Sequence, residues 1–521
     1  MKQKSELNSF MEKMYLNTLN KELAKGGGIA FSGILIQKIL GFAFSIMVAR
    51  VLGAADYGLY ALGISIIGIT QSIASLGLNQ GIVRFCAVYR VTGDTIRVKS
   101  TFLTALVISF ISSVLMAAIL FILSSMIAHS FFHKPELTWI LRVFALALPF
   151  YVLMGLTASF AQSFRRIDYQ QGILNFFYPL VNLILVVLLF ALGFHLAGPV
   201  YAFLISGFLS AGLGFYLSLK LFPEIIARSA IVFNFRKLLR FSMPVFLSGF
   251  LYLSLNNIDR IMLGYLTSAA EVGIYSVAAR IALLLNFILM AFIHISSPIM
   301  AELHGTSKFT QLARLYHTMT RWILTLSLPL FLFVVFASKS IMQIFGSEFI
   351  AGSSALIVLA SAQLFNAGTG PIGKLLEMTG KQDINLAVLL IIIIMNIGLN
   401  IWLIPLYGAT GAAIATSASI IITFGVLAII SRWLVGFHIY DRLYFRPIFI
   451  AAIAATIGIL SGSTVRLTVY GVNIFKISGV LLIYAVLIWR FGLVPADRIL
   501  LGLLKREVFQ TFLKRRNSRY G

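Results

Sequence analysis

Acidic side chains are scarce. The chain has 17 Asp and Glu against 41 Lys and Arg in 521 residues, and charged residues of both signs make up only 11%. A soluble domain carries roughly 25%, so a water-exposed globule is excluded. Cysteine occurs once, at Cys86. An intrachain disulfide is therefore impossible, and the residue reads as small apolar filler. His129 and His133 are four apart, but their HSFFHK turn offers no further ligands, so an interfacial loop is expected rather than a metal site. No zinc-protease motif or nucleophile elbow occurs. Residues Gly368–Lys374 read GTGPIGK, the first seven positions of a phosphate-binding loop. Leu375 follows where Ser or Thr is needed, and the segment is apolar, so no ATPase engine is visible. No connection between apolar runs can hold an extramembrane catalytic domain, which argues against an enzyme. A cleavable signal peptide is not expected either, because the first apolar run follows a polar tail and is too long for a signal core.

Apolar residues are what the chain has, at 60%. They fall into about fourteen runs near the ~20 residues that cross a bilayer. The runs are 27–48, 58–79, 101–128, 137–161, 172–194, 198–222, 241–266, 272–298, 318–344, 354–379, 384–406, 410–431, 447–465 and 470–490. Continuous runs, not alternating ~10-residue segments, predict helices rather than barrel strands. The net charge of +24 is not a nucleic-acid signal. We place 31 of the 41 Lys and Arg in the tails and the loops after even-numbered spans, and only Arg50, Lys134, Lys339 and Arg466 in the loops after odd-numbered ones. Such asymmetry puts both termini in the cytoplasm of a multi-pass cell-membrane protein, with some attraction to anionic lipid.

The chain also echoes itself. Residues 54–60 read AADYGLY and residues 269–275 read AAEVGIY, 215 positions later; Gly193 and Gly408 share the offset, as do Arg166 and Lys381. Each copy holds six apolar runs. An even number of crossings inserts both copies in one orientation, the parallel-repeat plan of some secondary transporters. The expected organisation is an amphipathic cytoplasmic tail (1–26), a first lobe (27–222), a cytoplasmic linker (223–240), a second lobe (241–436), two extra helices (437–490) and a basic amphipathic tail (491–521). Prolines at 149, 179, 244, 329 and 371 are positioned to kink their helices.

Ionisable groups within a bilayer each ask for a reason. Lys38, beside Gln37, sits mid-span and cannot snorkel. Span 7 carries Asn256, Asn257, Asp259 and Arg260, and span 8 carries Arg280, a partner at similar depth for Asp259. Lys374 and Glu377 are three apart on one helix face and suit a pair. Arg142 and Lys476 lie near the outer surface, where long stems snorkel. Asp56 and Glu271 occupy equivalent repeat positions at helix starts, where an acid favours capping.

The run FSGILIQKILGFAFSIMVARVLGAADYGLYALGISII resembles the opening of the polysaccharide-transport (Wzx-type) family of lipid-linked oligosaccharide flippases. So do NNIDRIMLGYLTSAAEVGIYSVAARI and GKQDINLAVLLIIIIMNIGLNIWLIPLYGATGAAIATSAS. The family belongs to the multidrug/oligosaccharidyl-lipid/polysaccharide exporter superfamily, with lipid II flippases and multidrug/cation antiporters. The resemblance implies two six-helix lobes in a V around a cationic cavity that holds a sugar-diphosphate head group, while the polyprenyl tail stays in lipid. Lys38, Arg260, Arg280 and Lys374 are then the candidate cavity cations, with Gln37 and Asn256 as polar lining. Asp259 and Glu377 are coupling or structural acids. The extra helices resemble a lipid-tail groove. No cofactor is implied, although a coupling cation, H⁺ or Na⁺, stays open.

The leading function is a flippase for an undecaprenyl-diphosphate-linked glycan in surface polysaccharide synthesis, with membrane lipids and assembly enzymes as partners. An antiporter of cationic amphiphiles and a lipid II flippase are the alternatives. Within its spans the chain offers more bases than acids, which favours an anionic cargo.

Overall fold

The computed structural model describes residues 2–227, 235–435, 440–460, 468–469 and 472–492. Almost all of the expected C-terminal tail falls outside these, as do Arg466 and the middle of the 223–240 linker. The side chains of residues 2–31, Asn256 and Lys476 are also outside the description.

The described chain is helical: α1 (Lys2–Ser75), α2 (Leu78–Val91), α3 (Thr95–Met126), α4 (Leu137–Ser163), α5 (Ile167–Gln171), α6 (Tyr178–Ala191), α7 (Ala197–Leu221), α8 (Phe235–Leu266), α9 (Ala269–Ala282), α10 (Asn286–Gly305), α11 (Phe309–Gln343), α12 (Ser353–Thr369), α13 (Ile372–Met378), α14 (Gln382–Val435), α15 (Phe445–Leu460) and α16 (Ile474–Leu487). A two-residue antiparallel pair, Thr468–Val469 with Val472–Asn473, precedes α16.

Two of these helices are folded back on themselves. α1 has 74 residues and breaks at Gly53, where φ is 73° and ψ −178°. Phe44 and Tyr60 then meet with ring centres 6.0 Å apart, whereas a straight helix would hold them ~24 Å apart. α14 has 54 residues and breaks at Gly408, φ 54° and ψ −131°. Across that break Asn396 Nδ2 reaches Ser419 Oγ at 3.3 Å. Positive φ carries no Cβ penalty for glycine, so each break stands at a residue that can make it.

Ten helical runs among the described residues are long and apolar enough to cross a membrane, and two shorter ones cover Phe445–Leu460 and Ile477–Gly492. The two longest runs, Ser32–Val91 and Leu386–Trp433, contain the reversals. α3 lies in the most apolar of these runs, yet it exposes Phe110, Ile111, Leu115 and Ile122. Side chains of this kind turned outwards fit a hydrocarbon solvent. Pro149, Pro244 and Pro329 sit inside α4, α8 and α11, Pro179 opens α6 after a π-turn, and Pro371 marks the break before α13.

By proximity of its backbone the chain forms two compact units. One gathers residues 1–281, 342–355 and 386–419; the other gathers 282–341, 356–385 and 420–521. In the first, Leu78, Ile82, Cys86, Phe102, Phe160 and Leu238 share a core, and Cys86 is a buried free thiol, as filler should be. In the second, α15 and α16 pack on α11 through Leu324, Leu328, Leu332, Ala454, Val480 and Tyr484. Two cations counted as loop charges are in fact buried. Lys99 is 4% exposed and donates to the Ala227 carbonyl, and Arg321 is 7% exposed. Each lies a turn or more inside its helix, so the loop assignment was too generous there.

Candidate functional site

The echo marks a contact between its own two copies. A Cβ added to Gly58 would run into the Ala269 carbonyl, and one added to Gly273 would run into the Ala54 carbonyl. These are equivalent positions: 54 with 269, and 58 with 273. The second half of α1 and the start of α9 therefore cross backbone to backbone, Gly to Ala in both directions, as an axis relating the repeats requires. Small residues four apart permit such an approach.

Polar clamps surround this crossing. Ala54 N, the first donor after the Gly53 break, is bound by Glu348 Oε2 at 2.7 Å. Ala409 N, the first donor after the Gly408 break, is bound by Glu271 Oε2 at 2.6 Å. Arg50 Nε donates to the Ile344 carbonyl at 2.6 Å. Lys134 Nζ donates to the carbonyls of Gly264 at 2.6 Å, Thr267 at 2.9 Å and Phe132 at 3.1 Å, and its partial burial lowers the ammonium pKa from the usual lysine value. Asp56 and Glu271 were expected to cap their own helices. Instead Ser268 Oγ accepts from Glu271 N at 3.4 Å, and the Glu271 carboxylate caps α14 beyond its break. Asp56 lies within electrostatic reach of His195 in the equivalent turn, and the donor at Ala54 is taken by Glu348. Asp56 also borders a cavity of about 540 Å³ with His133, Glu136 and Tyr265.

Three of the expected cations come together in the first unit. Arg280 donates to the Gly41 carbonyl at 3.0 Å and to Ser45 Oγ, both on the first half of α1. Lys38, one helical turn before Gly41, is exposed and feels the charge of Arg280. Arg260 lies within electrostatic range of Arg280, Tyr57 and Tyr275; it donates to Ser276 Oγ and to Asn257 Oδ1, both at 3.2 Å. Gln37 is half-buried beside Lys38.

Asp259 is 3% exposed and was expected to pair with Arg280. Its carboxylate instead accepts from Tyr275 OH at 2.6 Å, Thr416 Oγ1 at 2.5 Å and Asn400 Nδ2 at 2.8 Å. Asn400 Nδ2 also donates to Asn396 Oδ1 at 3.0 Å, while Asn400 Oδ1 is buried without a partner among the described residues. The pairing failed because α14 folds back to bring Asn400 and Thr416 to the carboxylate, where Tyr275 of α9 is the third neutral donor, leaving Arg280 to α1. The carboxylate, the Tyr275 and Thr416 hydroxyl oxygens bound to it and the unpartnered Asn400 Oδ1 are oxygens of the kind a hard cation takes.

The family described as Polysaccharide biosynthesis protein matches residues 23–304, more than half of the chain. The chain belongs to the polysaccharide biosynthesis protein family. The MatE family matches residues 244–402. The probable low-salt glycan biosynthesis flippase Agl15 of Haloferax volcanii is 26% identical over 189 residues, 36% of this chain and 39% of that protein. The probable flippase AglR of the same organism is 30% identical over 165 residues, 31% of this chain and 35% of that protein. The chain thus spans less than half the length of these curated relatives. The lipid II flippase MurJ in an inward closed conformation superposes with a TM-score of 0.70 at 16% identity, over 88% of this chain and 97% of that one. An inward-facing multidrug resistance MATE family transporter gives 0.62 at 16% identity, over 79% and 98%. At such identity these structures establish the fold, that of the multidrug/oligosaccharidyl-lipid/polysaccharide exporter superfamily.

In this member of the polysaccharide biosynthesis protein family, Lys374 and Glu377 form their expected pair at 2.7 Å, in the second unit. Arg142 Nε reaches Ser124 Oγ at 3.2 Å and stacks over Phe121. Gly368–Lys374 spans the turn from α12 to α13, not a strand–loop–helix unit. His129 bonds the Ser125 carbonyl at 3.0 Å. Among the described residues no three His, Cys, Asp or Glu gather as a metal site. Sequence reasoning missed Glu348, Asn396, Asn400 and Thr416. The two asparagines carried a signal, since they lie four apart on one face of a long apolar run.

Proposed function

We propose that this protein moves a polyprenyl-diphosphate-linked oligosaccharide across the membrane for cell-surface polysaccharide synthesis. The observation that carries the reading is the gathering of Lys38 and Arg260 within electrostatic reach of Arg280, which is itself bound to the first half of α1. Ammonium and guanidinium groups suit a diphosphate. A unit charge pair at 4 Å is worth about 4 kcal/mol at an effective dielectric of 20, enough to offset much of the head group's lost hydration. The polyprenyl tail remains in lipid.

The proposed motion is a rocking of the 27–222 and 241–436 lobes about the Gly58–Gly273 crossing. The clamps at Lys134, Arg50, Glu348 and Glu271 would break as the outer side opens, with both termini cytoplasmic. The Asp259 network is the proposed site of a coupling cation, H⁺ or Na⁺. The match of residues 244–402 to the MatE family keeps a cation-coupled antiporter as the second reading.

Depletion separates them. A flippase leaves its lipid-linked glycan trapped on the cytoplasmic face. Glycan that still reaches the outer face, in cells newly sensitive to cationic dyes, would establish the antiporter instead. Accumulation of the peptidoglycan precursor alone would point to lipid II.

A further inference from the structure

A basic and aromatic surface around α2 plays no part in the transport scheme above. Arg84 lies 4.4 Å from the Phe241 ring centre, Arg90 lies 5.4 Å from Phe164, and Arg97 lies 5.7 Å from Tyr89. Lys237 donates to Tyr89 OH at 2.8 Å and sits 5.3 Å from the Phe85 ring. Rings beneath the cations fix long side chains that would otherwise be mobile. Arg165 is close enough to Arg90 for their like charges to interact, and its backbone is held in the left-handed region, φ 60°. Asp94 is bound to Arg97 at 3.2 Å, and Asp168 to Arg166 at 2.7 Å. Like charges held together at a surface are relieved by an anion.

The apolar part of the same surface says which anion. α2 buries Leu78, Ile82 and Cys86. On the opposite stripe, Arg84, Val88 and Val91 follow at four- and three-residue steps, and Val88 and Val91 are 53% and 77% exposed. A soluble anion gains nothing from exposed valines. A bilayer interface gains from both, because an amphipathic helix places its apolar residues among the acyl chains and its cations among the phosphates.

We propose that α2 and the adjoining start of α8 bind the head groups of anionic phospholipids, with Arg84, Arg90 and Lys237 on the phosphates and Val88 and Val91 in the acyl region. This stands whether or not the transported molecule is a glycan lipid.

The test titrates the full-length protein, purified in detergent, with phosphatidylglycerol or phosphatidylcholine and follows thermal unfolding by tryptophan fluorescence. The wild type is expected to be stabilised by phosphatidylglycerol more than by phosphatidylcholine. Each surface cation contributes roughly fivefold in affinity. Arg84→Gln/Arg90→Gln/Lys237→Gln should therefore shift the phosphatidylglycerol midpoint by about a hundredfold, while Lys308→Gln/Arg314→Gln/Lys381→Gln leaves it unchanged. If the first triple does not fold, Arg84→Gln alone, at an exposed position, should shift it about fivefold. An unshifted midpoint in the α2 variants overturns the assignment. An equal shift in the control triple does so too, by reducing the effect to total charge. Stabilisation by inorganic phosphate equal to that by phosphatidylglycerol replaces the lipid with an adventitious ion only.

Discussion

Gly58→Ala is the most demanding test of the repeat crossing. The new methyl would sit within the van der Waals sphere of the Ala269 carbonyl oxygen and only 2.9 Å from Gly273 N. Both neighbours are backbone and cannot rotate away, so the second half of α1 and α9 must separate. Overpacking of this kind costs about 1–3 kcal/mol, against a gain of about 1 kcal/mol from helix propensity. The net loss is therefore up to about 2 kcal/mol. Gly273→Ala meets Ala54 and Gly58 in the same way and should cost as much. The informative variant is the double. Once one methyl has driven the helices apart, the second has room, so the double should cost little more than either single, with an interaction energy on the order of 1–2 kcal/mol. Gly68→Ala is the control: a Cβ there meets nothing within 4 Å, so it should be neutral or stabilising. Thermal unfolding of the four proteins in one detergent reads all of this. Strictly additive losses, or singles as stable as Gly68→Ala, would refute a shared contact.

The clamps, the acid and the cations give three further expectations. Glu348→Gln and Glu271→Gln each weaken a charge-assisted bond to a helix N-terminus, and each should lose about 1 kcal/mol in the same unfolding assay. Asp259→Ala strands three buried donors and should lose about 3–5 kcal/mol, whereas Tyr275→Phe loses only one of them, about 1.5–3 kcal/mol; if Na⁺ occupies the site, salt-dependent stabilisation disappears in Asp259→Asn. Arg280→Gln should abolish most glycan-lipid translocation in a depletion-rescue assay. Lys374→Gln, which removes a partly exposed pair worth roughly 0–1 kcal/mol, should rescue normally, and equal activity of the two variants would remove Arg280 from the proposed path.

Much of this architecture was legible because a bilayer leaves few options. Long apolar runs must be helices, and the echo at 54–60 and 269–275 pointed to a repeat before any contact was known. Lys38, Arg260 and Arg280 could be picked out by cost alone, since each lies where an ionised group is expensive. What could not be read was pairing across the fold. Asp259 and Arg280 sit at matching depth on a hairpin, and charge alone suggested that they meet. The return of α14 supplied Asn400 and Thr416 instead, and that depends on a reversal at Gly408 that local sequence does not aim. Glu348 escaped for the same reason. It lies 294 residues from the donor it caps, at an exposed turn where an acid attracts no notice.

The repeat also shows where the chemistry departs from symmetry. Phe44 and Asp259 occupy equivalent positions, as do Tyr60 and Tyr275. In the first copy the hairpin contact is ring to ring, 6.0 Å between centres. In the second it is a phenol donating to a carboxylate at 2.6 Å. The partners follow suit: where the second copy has Asn396, Asn400 and Thr416, the first has Val181, Leu185 and Tyr201. Ser45 and Ser65 stand where the second copy carries Arg260 and Arg280, and Ser45 is itself bound by Arg280. The backbone crossing kept both copies alike because a Gly–Ala approach tolerates nothing larger. The two arginines stand in one copy only, and Arg280 reaches across to the first half of α1 in the other. Two equal sets of arginines there would repel each other across a short gap, whereas the serines at the equivalent positions are neutral and turn their hydroxyls back on their own helix, to the Gly41 and Ala61 carbonyls, so the charge is not doubled.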